Sequence, residues 1–138
     1  MEQRDMKTLI ENTYEDVLNN LKVDTIDKYF DTRYRQTTDG IDATYDQFKQ
    51  HIMTLQKVTK NIQVPHFLEE MFDVQNQKVF LHYVVNVTKI DNVVGHVEVF
   101  ALFSIEGKKI IRCEEVTQSL DDKTLNDLGS KNDSKIAK

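Results

Sequence analysis

Residues 78–119, KVFLHYVVNVTKIDNVVGHVEVFALFSIEGKKIIRCEEVTQS, decide the fold. Val, Ile, Phe and Tyr crowd the runs Lys78 to Lys89, Val93 to Ile105 and Lys108 to Ser119, separated only by Ile90 to Asn92 and by Glu106-Gly107. β-Branched and aromatic residues suit a pleated, half-buried surface, and links this short join antiparallel neighbours. A similar run, Ile62 to Phe72, precedes them across Asp73 to Gln77, so the segment reads as a four-stranded antiparallel meander.

The chain ahead of the meander has a helical period. Met6, Leu9, Ile10, Tyr14, Val17, Leu18 and Leu21 recur at steps of three and four, which places them on one helical face. Val23, Ile26, Tyr29 and Phe30 repeat that spacing after Asp24-Thr25, a pair suited to capping a second, short helix. Residues 31–43 lose the period and end at the turn signal Asp39-Gly40; they read as a loop with room for a short strand. Thr44 with Gln47 fits a capping box, and Phe48, Ile52, Leu55 and Val58 or Thr59 form the stripe of a third helix ending near Asn61. Three helices followed by a meander is an α+β pattern in which one sheet face covers the helices. The expected domain spans residues 1–130, with a disordered tail over 131–138.

Composition bounds the function. At 138 residues the chain makes one domain with a real core, and 4 Gly and 1 Pro imply long elements and few tight loops. Lys and Arg number 18 against 23 Asp and Glu, a net charge of −5, which argues against a nucleic-acid binder that works by neutralising phosphates. One cysteine makes no internal disulfide, and no apolar stretch serves as a signal peptide or membrane span, so the expectation is a cytoplasmic protein with no membrane partner. The four histidines show no zinc spacing, no glycine-rich phosphate loop occurs, and neither metal nor cofactor is expected.

Turn registers then assign faces. Pairing Asp73 with Lys78, Ile90 with Val93 and Ile105 with Lys108 puts His66, Leu68, Glu70 and Phe72 beside Val79, Leu81, Tyr83, Val85 and Val87. The same face continues through His96, Glu98, Phe100 and Leu102 to Ile111, Cys113, Glu115 and Thr117. Its far end collects the polar residues His66, His96, Glu98, Glu115 and Thr117, while the opposite face, with Phe80, Val84, Val97 and Phe103, is apolar enough to suggest a homodimer through the outer sheet face. Gly95 lies inside a strand and marks the expected bend or bulge.

Four passages carry a family resemblance: Tyr29-Phe30 into Tyr34-Arg35-Gln36; Asp39-Gly40 before the Tyr45 to Leu55 helix; Glu106 to Ile111 as the last hairpin; and Cys113-Glu114-Glu115-Val116-Thr117 with Leu128-Gly129-Ser130 beyond. In order and spacing, over Met6 to Ser130, the chain resembles the bacterial SnoaL-like branch of the nuclear transport factor 2-like superfamily. That resemblance implies three N-terminal helices on a strongly curved, mainly antiparallel sheet of about four to six strands, forming a cone with an internal pocket. It also implies a small-molecule-binding protein, with cofactor-free isomerisation or cyclisation of an apolar carbonyl or ring compound as its catalytic form. Where polyketide-cyclase members carry a histidine and an aspartate, the comparable positions here look like Gln36 and Glu115.

Glu115 leads the candidates, because a carboxylate among Phe100, Cys113 and Tyr83 is desolvated and its pKa moves toward that of a general base. His96 and Glu98 are the other catalytic candidates, two residues apart on one face, where the carboxylate can orient the imidazole. Tyr34, Gln36, His66, Tyr83, Phe100 and Cys113 are the expected walls for a small apolar or amphipathic ligand. His51 reads as flanking its helical stripe and His82 as an outer-face partner of Glu69. The competing reading is a non-enzymatic dimeric binding or protein-interaction module, and a cavity of several hundred Å³ against a filled interior separates the two.

Overall fold

The computed structural model describes residues 1–121; the expected tail and the Leu128-Gly129-Ser130 passage lie outside them. The first helix, α1 (Gln3–Thr13), buries Met6, Leu9 and Ile10 and runs into a π-helical stretch over Tyr14–Asn19 that carries Tyr14 and Val17 into the core. A 3-10 turn at Val23–Thr25 leads into α2 (Ile26–Tyr29). Helix α3 (Tyr45–Val58) opens with the expected capping box: Gln47 N–H donates to the Thr44 hydroxyl, and the Gln47 side chain accepts from Thr44 N–H. It buries Tyr45, Phe48, His51, Ile52 and Leu55 and stops at Val58, three residues before the expected end.

The strands are β1 (Phe30–Thr38), β2 (Ile41–Thr44), β3 (Thr59–Gln63), β4 (Phe67–Asp73), β5 (Lys78–Lys89), β6 (Val94–Glu106) and β7 (Lys109–Ser119). Their order is β2-β1-β7-β6-β5-β3, with β4 also on β5. This corrects the expected strongly curved cone of four to six mainly antiparallel strands. Among the described residues the sheet has seven strands, its β1–β7 pair is parallel, and it runs as an open path whose ends do not pair. Two misread segments account for the difference. Residues 31–43 form the β1–β2 hairpin on the Asp39-Gly40 turn, where both φ values are positive (51° and 85°), as a type I′ turn requires. The Ile62 to Phe72 run splits around Pro65 into β3, against Asn86 to Lys89, and β4, against Lys78 to Tyr83.

Register decides which side chains face the helices. Asp73 pairs with Lys78 as expected, but Lys89 N–H bonds to the Val93 carbonyl across a three-residue turn with Asn92 at φ 70°. That extra turn residue sets Thr88 opposite Val94 and Tyr83 opposite Val99, so the inner residues of β6 are Gly95, Val97, Val99, Ala101, Phe103 and Ile105. His96, Glu98, Phe100 and Leu102 therefore sit on the outer face, the reverse of the expectation. On β7, Ile111 bulges out between Ile110, opposite Ile105, and Arg112, opposite Ser104, and this second single-residue shift returns Cys113, Glu115 and Thr117 to the inner face. Gly95 marks no bulge: it pairs with Val87 in unbroken register. The core lies between this inner face and the helices, with Val79, Leu81 and Ile110 wholly buried.

Candidate functional site

The parallel β1–β7 pair builds the polar part of the site. Gln36 lies opposite Cys113 and Thr38 opposite Glu115, and alternation along β1 turns Tyr34, Gln36 and Thr38 to the inside together. These side chains form a hydrogen-bonded row. The Tyr34 hydroxyl donates to Gln36 Oε1 at 2.8 Å, Gln36 Nε2 donates to Thr38 Oγ1 at 3.4 Å, and Thr38 Oγ1 donates to Glu115 Oε1 at 2.8 Å. The Cys113 thiol contacts Glu115 Oε2 at 3.8 Å. Just past the row, the Asp39 carboxylate accepts from Thr117 N–H at 2.9 Å and from the Thr117 hydroxyl at 2.6 Å, tying the end of β1 to β7.

A second polar pair comes from the other side of the interior. Tyr14, in the π-helical stretch, donates its hydroxyl to the Tyr83 oxygen at 2.9 Å, and the two rings pack edge to face at 5.1 Å. A hydroxyl carries one proton; Tyr83 accepts from Tyr14, and its own proton meets no acceptor among the described residues. Phe67 and Phe103 pack edgewise on the Tyr14 ring. Phe67 reaches it because Leu68 bulges out of β4, which leaves Leu68 48% exposed.

Both polar groups line one cavity of about 140 Å³, smaller than the several hundred Å³ expected of a ligand site though not a filled interior, whose remaining walls are mainly apolar, among them Phe30, Phe48, Val85 and Val99. Burial pushes the Glu115 carboxyl above its usual range, while the Thr38 hydroxyl and nearby His51 pull it back. Burial likewise holds the Tyr14, Tyr34 and Tyr83 phenols and the Cys113 thiol well above their ordinary values, so at neutral pH they are uncharged. Cys113 is thus an inert wall rather than a nucleophile.

Of the expected residues, the cavity gathers Glu115, Tyr34, Gln36, Tyr83 and Cys113. It does not gather the others. His96 faces outward and bonds through Nδ1 to Asp121 Oδ2 at 2.7 Å, and Glu98 bonds to His82 Nε2 at 2.9 Å, so these two do not act as a pair. Phe100 stacks on the His82 ring at 4.1 Å on the outer face, and His66 is exposed just before β4. His51 and Tyr14 are cavity residues that the sequence reading did not select. The signal for His51 was present, since it stands three residues after Phe48 and four before Leu55, within the α3 stripe. Among the described residues, no set of three His, Cys, Asp or Glu side chains is placed to hold a metal. No described helix is long and apolar enough to cross a membrane.

No family model matches the sequence, and no curated protein matches it. Solved structures do. BvnE pinacolase from Penicillium brevicompactum superposes with a TM-score of 0.72 at 12% identity, covering 99% of this chain and 99% of its own. AusH from Aspergillus nidulans gives 0.73 at 12% identity over 85% of this chain and 86% of its own. The chain has the SnoaL-like, nuclear transport factor 2-like fold. An LEH-like epoxide hydrolase from M. tuberculosis is similar at a TM-score of 0.69, with 12% identity over 83% of this chain and 84% of its own. At such identities the likeness establishes the fold and leaves the chemistry to the side chains. In this chain the described residues present a carboxylate row, a tyrosine pair and a buried histidine around the cavity.

Proposed function

We propose that this SnoaL-like chain is a small-molecule enzyme that moves a proton on an apolar carbonyl compound without a cofactor, with Glu115 as the base. One observation carries the reading: the Glu115 carboxyl and the Tyr83 hydroxyl, whose proton Tyr14 leaves available, line the same apolar-walled cavity. Glu115 takes a proton from the carbon next to the carbonyl; the electron pair of that C–H bond forms a C=C bond as the C=O π pair moves onto the carbonyl oxygen. Tyr83, protonated at neutral pH, donates to the developing oxyanion in an apolar-walled site. Thr38 orients the carboxylate, and the Tyr34–Gln36 pair holds Thr38 in place. The similarity to a pinacolase and an epoxide hydrolase supports a small-molecule enzyme and leaves the reaction to the site. The test is exchange of α-protons of cyclohex-2-enone in D2O, followed by NMR. Wild type exchanges them, and Glu115→Gln slows exchange by about 10²- to 10⁴-fold. Equal rates in the two proteins overturn the reading.

A homodimer through the outer sheet face is compatible with this activity. Met71, Phe100 and Val116 are 55%, 38% and 57% exposed on that face, a clustered apolar exposure that a second copy would cover. Light scattering at micromolar concentration should give twice the chain mass, and Val116→Lys should halve it; a monomeric mass for the wild type excludes the dimer.

A further inference from the structure

We infer that the ligand of this cavity is an uncharged molecule of one ring bearing a single carbonyl or hydroxyl oxygen. The inference rests on the acid/base reading only for the role of that oxygen.

Size comes first. The cavity holds about 140 Å³. Pockets for drug-sized ligands run from about 300 to 1,000 Å³, whereas an apolar cavity of about 150 Å³ lined by Leu, Ile and Phe admits benzene. One six-membered ring fills that buried space, and a second fused ring would have to project beyond its walls. The sheet wall offers little slack, because Val85 and Val99 stand on strands hydrogen-bonded along both edges.

Charge narrows the class further. Among the described residues, no Lys or Arg lines the cavity. An anion would be desolvated beside the Glu115 carboxyl with no Lys or Arg among the described lining residues to pair with it, and a cation would be desolvated against Val85, Val99 and Phe103. A neutral ring avoids both costs. Tyr14, Phe30, Tyr34 and Phe48 present ring edges and faces that pack against a flat or puckered six-membered ring. The available Tyr83 proton then selects for one acceptor oxygen on that ring.

The experiment titrates the intact chain by thermal shift and ligand-observed NMR. Its probes are phenol and cyclohex-2-enone, the larger 2-naphthol and anthrone, and the charged single rings benzoate and benzylamine. The neutral single rings should bind at least tenfold more tightly than any of the other four. Val99→Phe, which fills the cavity, should weaken phenol at least tenfold; Val85→Leu serves the same purpose if Val99→Phe does not fold. Tighter binding of anthrone, 2-naphthol, benzoate or benzylamine overturns the inference. So does a lack of single-ring binding, or phenol binding that a folded filling variant leaves unchanged. A separate arm uses Glu115→Gln. If phenol still binds while α-proton exchange equals that of wild type, the acid/base reading falls and the size inference stands. If anthrone binds and Glu115-dependent exchange persists, the size inference falls and the acid/base reading stands.

Discussion

Thr38 and Glu115 stand opposite each other across the parallel β1–β7 pair, and the Thr38 hydroxyl donates to Glu115 Oε1 at 2.8 Å. A donor to a carboxylate stabilises its charged form, so Thr38 opposes the rise that burial imposes on Glu115. Thr38→Val keeps the shape and removes the donor. The Glu115 pKa should rise further, and the pH profile of proton exchange should move to higher pH with it. Carbon-13 NMR titration of the glutamate carboxyls reads this directly, and an unchanged or lower value would count against the assigned role of Thr38.

Stability should carry the same signature. Because its folded-state pKa is raised, Glu115 favours the folded state most when protonated. That contribution is fully present below the unfolded value of about 4.3 and is lost as pH rises through the raised folded value. Gln does not ionise. The melting temperature of Glu115→Gln minus that of wild type should therefore increase from pH 4 to pH 8, and a difference constant across that range contradicts a buried, titrating Glu115.

Tyr83→Phe keeps the edge-to-face ring packing and removes the oxygen that accepts from Tyr14. A buried hydroxyl left without its partner costs about 1–3 kcal/mol, so urea unfolding should show a loss of that size. Tyr14→Phe removes the donor and leaves Tyr83 able to donate to a ligand. Proton exchange should therefore fall much more in Tyr83→Phe than in Tyr14→Phe. Equal losses would place the catalytic donor elsewhere.

The last hairpin offers a test of the backbone. Gly107 and Lys108 form its two-residue turn with φ of 55° and 73°, and at Lys108 a side chain occupies the left-handed region. That conformation costs a non-glycine residue roughly 1–2 kcal/mol, part of which glycine's greater unfolded freedom offsets. Lys108→Gly should stabilise the protein by about 0.5–1 kcal/mol in urea unfolding, and destabilisation would contradict the turn geometry.

The helices were readable because their information is local. The 3.6-residue period of Met6 to Val17, the Thr44–Gln47 box and the Phe48, Ile52, Leu55 stripe each describe a face that must be buried wherever the helix lies. The strong runs Lys78 to Lys89 and Val93 to Ile105 announced their strands in the same way. Residues 31–43 did not, because β1 owes its place to parallel pairing with residues 110–115, about eighty positions away, and Arg33, Tyr34, Arg35 and Gln36 show only weak alternation.

For the site, sequence alone determined that Cys113 and Glu115 share one face of their strand, while their place beside Tyr83 rested on assumed turn registers and that of Tyr34 and Gln36 on the family resemblance. Tertiary structure decided the rest. A strand's side chains change face with every residue, so the three-residue turn ending at Asn92 turned His96, Glu98 and Phe100 outward, and the bulge at Ile111 turned Glu115 back in. Those two shifts depend on turn and bulge geometry that composition and periodicity leave open. The Tyr14–Tyr83 bond, the Thr38–Glu115 bond and the size of the cavity are contacts between segments distant in sequence. They exist only because the helices pack on this sheet in this register.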